Sequence, residues 1–285
     1  MEIDAPLILA RWTYYCAATV LFGWSLFPLY AGPSRDEAAR ALPRTVATVL
    51  AAAALAAAIL WLLCFAAALG EPEDAAETMR TILFDSGFGP GWLVRLSGVA
   101  LALVAALAGR PRLIIAAMLI ALACEGWSGH AVTWGLAGSL ALALHVVCAG
   151  AWIGGLAPLA LLVVRARKKV SDVPLAETAL RQFSRFGVIF VAGIALTGLV
   201  NAWHMLDGGP DLTRAYDRVL FAKVALFAMM VGVAALNRYR LVNRFVRSDP
   251  ASLLWPLSRN IAIEQFIGVA VLLDVSALGL MNPHS

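Results

Sequence analysis

The chain has 285 residues, of which 61% are hydrophobic and only 14% are charged, with a net charge of +4. Soluble domains carry about 25% charged residues, so a soluble core could not bury this much apolar surface. The apolar residues also form blocks of about 20 residues, the length that a helix needs to cross a bilayer. These properties exclude a soluble enzyme and predict an integral membrane protein.

Eight apolar segments predict an all-α, polytopic membrane protein with a bundle of eight transmembrane helices. They lie near residues 7–30, 45–69, 92–109, 111–125, 139–164, 183–205, 218–242 and 257–281. The third and fourth are short and nearly continuous, which predicts a tight helical hairpin or, alternatively, one long kinked helix. Helices are expected because lipid offers the backbone no hydrogen-bond partner, and no segment shows the period-two alternation of a barrel strand.

The eight segments divide into an N-terminal four-helix membrane half, residues 1–125, and a C-terminal four-helix membrane half, residues 126–285. Two connections are longer than turns. Residues 75–84 favour a short surface helix, and residues 165–185 favour an amphipathic helix on the inner surface that leads into the sixth span. A solvated connector is the alternative interpretation of each.

The distribution of charge predicts the orientation. If the N-terminus lies outside and the spans alternate, the inner loops hold 16 of the 22 basic residues, as the positive-inside rule requires. The outer segments are acidic, and both termini then lie outside. Because the basic residues sit in short loops against the membrane, we do not expect nucleic-acid binding.

All four histidines fall on the outer side in this orientation. His130, His204 and His284 follow or end spans at the outer surface, and His145 lies about 9 Å below that surface by helical rise. Imidazole is the commonest protein ligand for transition metals. Four histidines on one side therefore indicate a metal-handling face.

Sulfur ligands lie beside two of these histidines. Met205 follows His204, and Met281 lies three residues before His284. Reduced copper accepts thioether sulfur, so both methionines are candidate ligands. The four cysteines lie within spans at spacings that match no zinc or redox motif, and we interpret them as small buried apolar residues.

Charged residues also occur inside the predicted spans, where they are expensive and usually paired or functional. Arg11, Arg95 and Lys223 lie near the outer boundary, where snorkelling to the interface explains them. Glu264 lies near Asn237-Arg238 at the inner side, which favours an ion pair. Asp274 lies at a depth similar to that of His145, and the two could face each other across a polar cavity.

Small residues in the fifth span predict close helix packing. Gly150 and Gly154 form a GxxxG motif, with Gly155 directly after it. This motif lets a neighbouring helix approach closely, and a structural role is the simplest interpretation.

An ordered set of short motifs resembles the bacterial copper resistance protein D (CopD) family. The set runs from residue 126 to the C-terminus, whereas residues 1–125 fit only in their pattern of spans. Asp274 departs from the family pattern, which would place an apolar residue there. The motifs are Ser128-Gly129-His130-Ala131, Leu144-His145, Trp152 to Leu159, Arg181 to Arg185, Thr197 to Ala202, Leu220 to Lys223, Asn237-Arg238, Glu264 and Pro283-His284.

The resemblance implies a multi-pass protein of the bacterial inner membrane that acts in copper homeostasis and is not an enzyme. Such proteins are thought to move copper from periplasm to cytoplasm beside a periplasmic partner of the CopC type, so copper is the expected metal and both termini would be periplasmic. The resemblance implies that His130, His145, His204 and His284 contact copper. Met205 and Met281 rest on ligand chemistry alone.

Two other functions remain open at this stage. The first is a b-type electron-transfer protein with a single haem, held by His145 and one outer histidine. The second is a membrane docking partner for a periplasmic copper chaperone, served by the acidic outer loops. The chain contains no P-loop, so direct coupling to ATP is not expected.

Overall fold

The computed structural model describes residues 5–31, 41–70, 74–128, 135–206, 209–242 and 250–281. The described residues are overwhelmingly helical and contain no β-strand, which confirms the all-α prediction. The helices are α1 Ala5–Tyr30, α2 Arg44–Leu69, α3 Ala75–Arg80, α4 Gly89–Leu107, α5 Pro111–Ala123, α6 Gly135–Lys168, α7 Val173–Met205, α8 Ala215–Leu236 and α9 Pro250–Leu278.

Seven described helices are long and apolar enough to cross a membrane by length and composition. They are all of the nine except α3 and α5. The α5 helix has only 13 residues, but it packs against α4 in a hairpin that turns at Gly109, whose φ is 65°. The hairpin is therefore correct and the single kinked helix is wrong, whereas an eighth complete span stays a prediction.

Helices α1 and α6 form the centre of the bundle. They cross where Gly23 of α1 meets Gly150 and Gly154 of α6. A Cβ atom on Gly154 would lie 1.9 Å from the carbonyl oxygen of Thr19, and one on Gly23 would lie 2.6 Å from the Gly150 oxygen. The GxxxG motif therefore allows the close approach that the sequence predicts, and α1 is the neighbour.

Contacts between helix ends show that successive long helices alternate in direction. At one end, Arg95 near the start of α4 pairs with Glu125 after α5. At the other end, Arg167 of α6 donates to Ser258 of α9. We call the first the histidine end, because the end of α7 with His204 lies there, and the second the arginine end.

The two longer connections differ in their outcome. A short helix begins at Ala75, close to the prediction, and continues as a π-helical turn over Thr81–Asp85. The predicted surface helix before the sixth span is not separate, because α7 runs unbroken from Val173 to Met205. Its first turns bury Leu180 and Phe183 in the core, which makes them part of the bundle.

Candidate functional site

His145 lies on α6 and faces α7, where its ring contacts small and polar residues. Its Nδ1 atom lies 3.1 Å from the hydroxyl oxygen of Thr197. The Thr197 hydroxyl donates to the carbonyl of Gly193, so its oxygen can only accept from the ring. Nδ1 therefore carries the hydrogen, and Nε2 keeps its lone pair, as in the neutral imidazoles that ligate metals in other proteins.

The packing around this ring is close. A Cβ atom on Gly198 would lie 3.2 Å from Cε1 of His145, so a larger residue would require the ring to shift by a few tenths of an ångström. One helical turn further along α6, the buried Cys148 faces Gly193 in the same way. The two side chains thus follow one seam between α6 and α7, with the imidazole nearer the histidine end.

Two charged side chains lie beside this seam. Lys223 of α8 lies close enough to act electrostatically on both His145 and Asp274 of α9. The Oδ1 atom of Asp274 is buried and accepts no hydrogen bond from the described residues. The charged neighbour of Asp274 is thus Lys223, a link between α8 and α9 that the sequence did not reveal.

The two candidate methionines lie together. Met205 ends α7 and Met281 follows α9, and both pack against one small cluster of Tyr216, Leu220 and Leu278. The hydroxyl of Tyr216 donates to the sulfur of Met205. The structure therefore brings both methionines to one apolar cluster at the histidine end, although they are 76 positions apart in the sequence.

His204 is exposed on the last turn of α7, beside this methionine pair. Its Nδ1 lies 2.8 Å from the carbonyl oxygen of Val200, so Nδ1 carries the hydrogen here too. Thr197 and His204 are seven residues apart on one helix, about 10 Å of rise. His145 and His204 therefore lie at different depths.

A loop before α8 fixes the start of that helix. The backbone N–H of Asp211 donates to Asp217, which is completely buried and whose Oδ1 has no hydrogen-bond partner within the described ranges. The hydroxyl and backbone N–H of Thr213 donate to Asp211 and lower the pKa of that exposed carboxyl. The sequence places Asp217 in an acidic outer segment, but the structure buries it next to Tyr216.

His130 and His284, the other two candidate ligands, lie outside the described residues. Within the described ranges, no three side chains of the His, Cys, Asp and Glu types converge as a metal cluster. The candidate site is therefore a series of separate positions from the methionine pair to His145. The gathering of all four histidines stays a prediction.

Three charged residues of the N-terminal half, Arg11, Arg95 and Glu125, are buried beside aromatic rings. Arg95 is 2% exposed and binds Glu125, 8% exposed, through Nε and Nη2 at 3.0 and 2.8 Å. Its guanidinium lies 4.3 Å from the ring centre of Trp61 and 4.5 Å from that of Trp92. Arg11 is buried against the same Trp61 ring at 4.8 Å. Snorkelling is therefore the wrong explanation for both arginines.

The predicted ion pair at Glu264 is also wrong. Glu264 is 2% exposed and accepts a hydrogen bond from Asn237, whose side-chain oxygen accepts from Asn260 at 2.9 Å. The neighbouring Arg238 instead donates to the backbone and hydroxyl oxygens of Ser184 on α7. An amide chain, and not a guanidinium, thus satisfies this buried carboxyl.

Sequence reasoning found the candidate ligands but missed the groups that position them. Thr197 orients the imidazole and Lys223 sets its electrostatic surroundings, yet neither carries a spacing signal that ties it to His145. The only signal in the sequence for such groups was that Thr197 and Lys223 are polar residues within spans, at depths near that of His145. The seam contains an imidazole nitrogen and a sulfur atom, which are ligand types that suit soft or borderline metal ions.

Two family models match this chain. The model described as copper resistance protein D matches residues 177–278, and the model described as copper resistance protein D-like, N-terminal domain, matches residues 1–139. The N-terminal half, which resembled the family only in its pattern of spans, therefore matches an N-terminal domain described for copper resistance protein D-like proteins. No solved structure matches the chain.

Three curated proteins are similar to this chain. Copper resistance protein D of Pseudomonas syringae pv. tomato is 28% identical over 99% of this chain and 98% of its own length. The inner membrane protein YebZ of Escherichia coli (strain K12) is 32% identical over 50% of this chain and 48% of its own. Copper transport protein CutJ of Bacillus subtilis (strain 168) is 27% identical over 70% of this chain and 37% of its own.

Proposed function

The chain belongs to the copper resistance protein D family, and on that premise we propose that it binds periplasmic copper and moves it across the bacterial inner membrane. A polytopic helical bundle fits this role, and the names of its relatives refer to copper resistance, copper transport and the inner membrane. A periplasmic partner of the CopC type would deliver the metal to the histidine end.

The observation that carries the proposal is the orientation of His145. Its Nδ1 is hydrogen-bonded to Thr197, which leaves Nε2 as the metal-binding atom of a ring held inside the membrane. A polar residue at such a depth is usually functional. A second-shell hydrogen bond of this kind also raises the basicity of a ligating imidazole.

The remaining candidate positions form the entry to this site. Met205 and Met281 offer two sulfur atoms near the outer surface, and His204 lies beside them. His130 and His284 would add imidazoles from the neighbouring segments. Several weak sites in sequence favour passage of an ion over its trapping, because the ion must also leave each site.

Metal analysis and an absorption spectrum of the purified protein test this proposal. We expect bound copper in stoichiometric amount, no Soret band, and loss of copper in a His145→Ala variant. A Soret band would contradict the proposal and favour a haem protein. Absence of both copper and haem after copper loading would contradict it in favour of a docking partner for a copper chaperone.

A further inference from the structure

A cavity of about 300 Å³ lies between α6, α7, α8 and α9 on the arginine-end side of the bundle. Its walls are almost entirely apolar, formed by side chains such as Trp152, Leu180 and Val191. Gly187 shows that the space is empty of protein, because this glycine is buried and yet an added Cβ would meet no atom within 4 Å. The cavity is therefore large enough to hold part of an apolar molecule.

The packing of the helices explains why this space exists. The α8 helix packs on α9, and α7 packs on α6, but α7 and α8 scarcely contact each other along their lengths. Of the seven spanning helices, α8 is also the least buried. A gap between α7 and α8 opens sideways, towards the position of the lipid chains in a membrane.

The polar groups of the cavity lie at one end. Arg238 is the second residue of the π-helical turn Asn237–Val242. It bridges that end of the cavity by donating hydrogen bonds to Ser184 on α7. In the described part of the chain, every hydrogen bond of Arg238 is made by Nη1. A guanidinium has five N–H donors, so within the described residues Arg238 has donors beyond those given to Ser184, and such a group matches a phosphate.

The surroundings of this end are those of an inner lipid interface. Tyr239 is exposed and stacks with Arg238 at 5.7 Å, as interfacial aromatic residues do. Arg185 is exposed next to the cavity lining and adds positive charge. Glu264 also lines the cavity, and its buried carboxyl accepts a hydrogen bond from Asn237.

We propose that this cavity binds one anionic phospholipid, with an acyl chain between α7 and α8 and the phosphate on Arg238. Basic pockets between transmembrane helices on the cytoplasmic side are typical sites for anionic lipid head groups. The lipid would close the gap between α7 and α8, and so hold the wall of the α6–α7 seam that contains His145. This site is independent of copper.

Native mass spectrometry of the purified full-length protein tests the site after lipid removal and addition of phosphatidylglycerol or phosphatidylethanolamine. We expect one phosphatidylglycerol to remain bound in preference to phosphatidylethanolamine. Arg238→Gln should reduce that preference about tenfold, the effect of one charge-assisted hydrogen bond. Arg240→Gln is the matched control, because Arg240 is exposed on the same turn and does not line the cavity.

A second pair of variants tests the acyl chain. Gly187→Leu should fill the cavity without a clash and reduce retention of the lipid, whereas Gly232→Leu, at an open and exposed site on α8, should leave it unchanged. Equal retention of the two phospholipids, or unchanged retention in both Arg238→Gln and Gly187→Leu, would overturn the proposal. Retention of an isoprenoid quinone in place of the phospholipid would overturn it as well.

Discussion

The imidazole of His145 on α6 donates to the hydroxyl of Thr197 on α7 across a distance of 3.1 Å. This contact joins the two most extensively packed neighbouring helices of the bundle at the depth where an ion would pass between them. It fixes which ring nitrogen holds the hydrogen, and it leaves the other nitrogen with its lone pair.

Replacing Thr197 with valine keeps the volume of the side chain and removes the hydroxyl. The imidazole then loses the acceptor that orients it, and loss of such a second-shell partner weakens metal affinity by about 10- to 100-fold. Competition with a chromophoric Cu(I) chelator measures this affinity. Thr197→Ser is the control and should bind as the parent does, whereas equal affinity in Thr197→Val would show that the contact does not position a ligand.

Lys223 and Asp274 should act on copper binding as a pair. Asp274→Asn leaves the charge of Lys223 uncompensated near His145, so we expect weaker binding of the copper cation. Lys223→Gln in the same chain should restore it, because the repelling charge is then absent. The four proteins of this double-mutant cycle give the coupling directly. Additive effects of the two substitutions would contradict the pairing.

The Arg95–Glu125 pair should stabilise the N-terminal half strongly. Glu125→Gln removes the charge that neutralises a buried guanidinium, and breaking a buried pair in this way costs about 3–5 kcal/mol. Thermal unfolding in detergent should show a large decrease in stability. The control is Glu177→Gln, because its partner Arg181 is 51% exposed and a surface pair contributes about 0–1 kcal/mol. Similar losses in the two variants would contradict this role.

The crossing of α1 and α6 should tolerate no side chain. Gly154→Ala places a Cβ atom on the backbone of Thr19, which the two helices can relieve only by moving apart. We expect loss of folded protein, seen as aggregation in size-exclusion chromatography. Gly232→Ala is the matched control, since nothing lies within 4 Å of its Cβ position. Normal folding of the Gly154 variant would show that this crossing is looser.

The sequence was sufficient to predict the fold class and the close approach of a helix at Gly150 and Gly154. Both depend on local composition and spacing, which a single segment contains. It was insufficient for the partners of charged residues, because these are set by packing between distant segments. Glu125 looked like part of an acidic loop, and only the fold brings it to Arg95.

The candidate site shows the same division. Residue type and position along the spans led to His145, Met205 and Met281. That the two methionines share one cluster depends on where α7 and α9 end, and that Lys223 lies beside Asp274 depends on how α8 packs on α9. No periodic pattern contains that information.

Copper flux into proteoliposomes tests the central claim most directly. The protein would be reconstituted with an internal Cu(I) sensor, and external Cu(I) would be added to the parent, to His145→Ala and to Cys64→Ala, a sulfur control in the other half. We predict flux in the parent and the cysteine variant and none above protein-free liposomes in His145→Ala at equal protein level. Undiminished flux in His145→Ala would contradict the claim that copper passes this residue.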